Sequence, residues 1–114
     1  MRFLLTYHSS APGDLSPEKS AALQKLVEDN MKAGILLDTG GILPGVKVAQ
    51  KNGEFAVTDG PFTETKELVV GYAIVQVRDR EEAIEHARRF MKIAGDGAGE
   101  IRQLAGPLDV PPHH

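Results

Sequence analysis

LVVGYAIVQV, Leu68 to Val77, is apolar at positions of both parities. Whichever way its side chains alternate, both faces of the strand want cover. The stretch therefore reads as a central strand, and the rest of the fold is worked out from what can lie beside it. Downstream, Asp79 with Glu82 three residues on is a capping-box pattern. Ala83, Ile84, Ala87, Phe90, Met91 and Ala94 then recur at helical spacing, and Gly95 closes the helix. A glycine-rich turn, Gly95 to Gly99, leads into a short last strand, Glu100 to Leu104.

Upstream stands a hairpin, VKVAQK-NG-EFAVTD. Asn52-Gly53 suits a two-residue type I′ turn, in which both central residues need positive φ. That turn sets Lys51 opposite Glu54, Val48 opposite Val57 and Val46 opposite Asp59. Val46, Val48, Phe55 and Val57 share one face, which reads as buried, and Asp59 falls at the end of that face. Ile35 to Leu37 is a brief apolar run that stops at Asp38-Thr39-Gly40-Gly41. Before it, Ser16 as N-cap and Pro17 in the first turn open a helix that runs to Ala33, with Leu23, Leu26, Val27 and Met31 as its stripe and Gly34 as its left-handed stop. Phe3 to His8, FLLTYH, is a buried strand bounded by Ser-Ser-Ala-Pro-Gly.

The order is strand, helix, hairpin strand, strand, helix, strand. This is the α+β, ferredoxin-like split βαβ arrangement: an antiparallel sheet with two helices on one face, whose first and third core strands are central. The helices leave the other face of FLLTYH and LVVGYAIVQV uncovered, more apolar area than a monomer leaves wet. A two-fold homodimer joined sheet to sheet would cover it. Residues 1–114 form a single domain, with 106–114 a proline-rich, loosely held tail.

Thirteen basic and sixteen acidic side chains leave a net charge of −3, a poor footprint for nucleic acid. There is no cysteine, so disulfides and thiolate chemistry are absent and the commonest zinc sites with them. No His/Asp/Glu set has metal-ligand spacing, and Gly95 to Gly99 lacks the lysine of a phosphate loop. No cofactor is expected. The apolar start is too short for a signal or membrane segment, so a cytoplasmic protein without membrane association is expected.

Asp59 opens the candidate site. An Asp before Gly forms an Asx-turn in one reading and serves as acid, base or ligand contact in the other. His8 ends its strand at the same sheet edge as the Asp59–Glu67 loop, and an Asp59/His8 pair would be a usual acid–base arrangement. Tyr7 alternates to the face opposite His8. Tyr7, Pro61, Phe62, Lys66 and Tyr72 are the candidate ligand contacts, although Tyr72 also reads as a core residue with its hydroxyl bonded. His86, on the flank of the second helix's stripe, reads as half-exposed and passive.

Asp59-Gly60-Pro61-Phe62, followed by Glu64-Thr65-Lys66-Glu67 and Gly71-Tyr72, resembles the DGPF branch of the YCII-related proteins. LLTY, the Ser16–Glu18 helix start and AGILLDTGGILP fit the same family over about residues 1–105. The resemblance implies a dimeric α/β barrel of ferredoxin-like protomers, and a possible regulatory link, since members are often encoded near alternative sigma factors. Some members carry a first-helix histidine proposed to work with an aspartate; the corresponding position here is near Leu23. Two functions follow: a non-catalytic dimer that binds a small ligand or a partner, favoured because that histidine is missing, or a lyase- or hydrolase-like enzyme using Asp59 and His8.

Overall fold

The computed structural model describes residues 1–10, 16–59 and 70–106. The elements are β1 (Arg2–Ser9), α1 (Pro17–Lys32), β2 (Leu36–Ile42), β3 (Val46–Lys51), β4 (Glu54–Asp59), β5 (Val70–Gln76), α2 (Arg80–Ala94), β6 (Gly97–Ala98) and β7 (Ile101–Leu104). The architecture is α+β, and β1 and β5 lie centrally in a five-stranded sheet of order β2-β5-β1-β6, with β7 also paired to β1. All its ladders are antiparallel. That is the ferredoxin-like arrangement expected from the two most apolar segments.

Both helices begin as their caps dictate. The Ser16 hydroxyl accepts from the Lys19 N–H at 3.1 Å, and the Asp79 carboxylate accepts from the Glu82 N–H at 2.9 Å, each satisfying a donor that the first turn leaves without a helical partner. Glu82 reaches back to the Arg78 N–H at 3.0 Å. Gly34, with φ of 76°, takes the left-handed conformation that ends α1.

The strand beside β5 corrects the expectation. It is β2, not the hairpin: Thr39 pairs with Ala73, Gly40 with Tyr72 and Ile42 with Val70. Asp38-Thr39-Gly40-Gly41 runs as strand although it reads as a turn. Its polar groups are bonded in place, with the Thr39 hydroxyl donating to the Tyr72 carbonyl at 2.8 Å and the Asp38 carboxylate accepting from the Tyr72 hydroxyl at 2.9 Å. Gly40 leaves room for the Tyr72 ring, since a Cβ there would stand 3.2 Å from the ring's Cε1.

The hairpin has the expected register, with Val48 opposite Val57 and Val46 opposite Asp59. Asn52 and Gly53 have φ of 53° and 80°, both positive as the turn requires. Yet β3 and β4 form a two-stranded sheet of their own, and their apolar row is exposed: Val46 54%, Val48 60%, Phe55 64%, Val57 57%. Alternation identified which side chains share a face, but no part of the described chain buries that face. Asp59 is likewise exposed rather than at the end of a buried row.

The core is small. Phe3, Val75, Val77 and Ala83 are buried together, with Leu5, Ile35, Leu36 and Ile101 packed around them. No residue of α1 is fully buried. The helices stand on the sheet without closing down on it along their whole length.

Candidate functional site

The gap they leave is an apolar cleft of about 180 Å³. Its floor is the helix-side row of the sheet, Leu5 and Tyr7 from β1 with Ala73 and Val75 from β5; α1 contributes Leu26, Val27 and Asn30, and α2 contributes His86, Ala87, Phe90 and Met91. Each helical set recurs every three or four residues, so one stripe of each helix faces the sheet. No Asp, Glu, Lys or Arg lines the cleft. A concave apolar site with a few polar groups is the usual form of a small-molecule pocket.

One wall is fixed by Tyr7. Its ring meets Phe90 edge to face, with centroids 5.0 Å apart and planes at 80°, a favourable geometry for two quadrupoles. Its hydroxyl donates toward the carbonyls of Gly95 at 3.0 Å and Asp96 at 3.1 Å. This ties β1 to the end of α2.

The other polar residues around the cleft are engaged too, Thr6 and Tyr72 on the far face of the sheet. The Thr6 hydroxyl accepts from the Glu100 N–H at 3.1 Å, and the Asn30 amide donates to the Leu26 carbonyl at 2.9 Å. Tyr72 meets the cleft only along its strand, since its ring lies on the far face of the sheet, where its hydroxyl donates to Asp38. That hydrogen bond first, then desolvation and the carboxylate's charge, raise the Tyr72 phenol above its ordinary 10.0.

His86 differs from these. It is half-buried, and its imidazole has no hydrogen-bond partner among the described residues. Burial first, then the Arg89 charge, hold its pKa below the ordinary 6.5, against the opposing pull of Glu82 and Glu85. Sequence reasoning gave it half-exposure but no role. The available signal was its spacing three residues after Ala83 and four before Phe90 on the stripe of α2.

Of the residues singled out from sequence, Tyr7 stands at the cleft, while Tyr72, paired with Thr6, turns its ring to the opposite face of the sheet beside Gly40 and Asp38. His8 is exposed and pairs with Val70, which pairs in turn with Ile42, so the hairpin is rooted at the sheet end that carries His8. His8 is not among the residues lining the cleft, and alternation sends its side chain to the face opposite Tyr7. Asp59 ends β4 in the separate hairpin sheet, and no hydrogen bond joins it to His8. Pro61, Phe62 and Lys66 lie outside the described residues, as does the tail from residue 107. Among the described residues, no group of three or more His, Asp or Glu is placed to hold a metal ion, and no helix is long and apolar enough to cross a membrane.

The YCII-related domain model matches residues 1–105. An uncharacterized protein of Rhizobium meliloti (strain 1021) is 34% identical over 90 residues, which span 75% of this chain and 69% of the relative.

Proposed function

The chain belongs to the YCII-related domain family, and we propose that it is a small-ligand-binding module of the DGPF branch that works as a two-fold homodimer. The observation that carries the ligand-binding reading is the cleft of about 180 Å³ between sheet and helices, apolar and without a charged lining residue. Asp59-Gly60-Pro61-Phe62 supports the branch. The dimer rests on the sheet face that the helices leave open, where Leu4, Tyr72 and Ile74 are only half-buried in the protomer; a second sheet laid on it would close an α/β barrel. The exposed row of the hairpin adds apolar surface beyond what a monomer usually leaves in water.

Catalysis by Asp59 with His8 is the weaker reading. Both side chains are exposed, and His8 stands apart from the cleft. A regulatory role would consist of the dimer responding to the ligand in the cleft.

A thermal-stability screen against small metabolites tests the proposal, because a ligand that binds only the folded state raises the melting temperature with its concentration. At least one uncharged apolar compound is expected to stabilise the protein, and Ala87→Leu, which narrows the cleft, to remove the effect. Stabilisation that survives in Ala87→Leu would place the ligand elsewhere. No stabilisation by any compound would end the ligand-binding reading.

A further inference from the structure

The side chains of Thr6 and Tyr72 turn to the opposite face of the sheet from Leu5 and Tyr7, and three of the polar side chains on the cleft side are already committed to partners of the fold: Tyr7, Asn30 and Thr39. The fourth, His86, has no hydrogen-bond partner among the described residues. A half-buried imidazole carries one N–H donor and one lone-pair acceptor when neutral. No buried side-chain nitrogen or oxygen lacks a partner among the described residues, so the half-buried His86 ring is still reached by water, and a ligand in the cleft would meet it in water's place.

We propose, resting on the ligand-binding reading of the cleft, that His86 is its recognition group and that the ligand is an uncharged, largely apolar molecule carrying one hydroxyl group. The chemistry of the lining selects each part of this description. With no cation on the walls, a carboxylate or phosphate entering the cleft would lose its hydration without a counter-charge. With no lining carboxylate, an ammonium fares no better. The walls of Leu5, Val75, Phe90 and Met91 favour hydrocarbon, and His86 supplies the one open acceptor or donor that orients it. Size sets the scale, since an apolar cavity of about 150 Å³ accommodates benzene and this cleft is about 180 Å³. A single substituted ring, or an aliphatic chain of comparable volume, fills it.

The test is titration of the whole protein with phenol, toluene and benzoate, followed by calorimetry and by the His86 ring resonances, at a pH above the ordinary imidazole value of about 6.5. Phenol is expected to bind roughly five to ten times more tightly than toluene, the worth of one net hydrogen bond. Benzoate is expected to bind at least ten times more weakly than phenol. His86→Leu should leave phenol binding no more tightly than toluene, because its hydroxyl then enters the cleft unpaired, and His86→Gln should keep part of the preference; far-UV dichroism and melting temperature confirm that both variants fold. Toluene binding as tightly as phenol in the wild type, or a phenol preference that persists in His86→Leu, overturns the assignment of His86 and leaves the cleft reading standing. Benzoate binding as tightly as phenol overturns the uncharged ligand class. If none of the three probes binds, the cleft reading falls and this inference falls with it.

Discussion

Tyr7 and Phe90 meet edge to face at 5.0 Å while the Tyr7 hydroxyl spans to the carbonyls of Gly95 and Asp96. One side chain thus holds the central strand to both the body and the C-terminal end of α2. Its two functions separate by mutation. Tyr7→Phe keeps the ring contact and removes the donor, for an expected loss of about 1 kcal/mol. Tyr7→Ala also empties the space beside Phe90, for an expected loss of about 3 kcal/mol or more. Urea denaturation of the two variants measures the difference, and equal losses would mean that the ring contributes nothing beyond its hydroxyl.

Tyr72 should resist ionisation. Its phenol is raised above 10.0 chiefly by donating to Asp38, so removing the carboxylate's charge should bring its titration back down. Asp38→Asn in a Tyr7→Phe background leaves Tyr72 as the sole tyrosine, because the chain has two. Alkaline ultraviolet titration should show its midpoint below that of Tyr7→Phe alone. An unchanged midpoint would show that the Asp38 contact does not persist in solution.

His86 predicts a sensitivity to acid. Its folded pKa lies below the ordinary 6.5, so between those two values the unfolded chain binds more protons than the folded one. Stability then rises with pH across that window and is level, as far as this group is concerned, above it. The loss on going from about pH 7.5 to about pH 5 should be smaller in His86→Leu than in the wild type. The same loss in both would mean that other groups account for the slope.

Assembly is checked by sizing with light scattering at micromolar concentration. A mass twice the 12.3 kDa of the chain is expected. A monodisperse monomer would remove the dimer from the proposal.

Local rules carried much of the fold. Ser16 and Asp79 mark helix starts because a cap is made by residues within one turn of each other, and Asn52-Gly53 fixes the hairpin register because few other pairs accept its two positive φ angles. β2 escaped for the complementary reason. Asp38, Thr39, Gly40 and Gly41 become strand only when Tyr72 supplies a donor for the carboxylate and a ring that needs a glycine beside it. That information sits more than thirty residues away. The hairpin shows another limit, since alternation says which side chains share a face and not whether anything covers it. The cleft depends on how far two helices stand off a sheet, a quantity set by the whole packing. Its histidine therefore looked ordinary in sequence.

The placement of β1 has a consequence for how the chain comes to be folded. Arg2 stands opposite Gln76 on one side and Leu104 on the other, so both edges of β1 are completed by segments far downstream of it. Long-range pairing of this kind must close large loops before the β1 ladders form, which slows folding relative to locally paired chains. During synthesis FLLTYH, residues 3 to 8, must therefore wait with one edge open until β5 and with the other until β7 has left the ribosome. In that interval the chain is most exposed to mispairing with a neighbour, and a chaperone that holds extended apolar segments would find its target in β1.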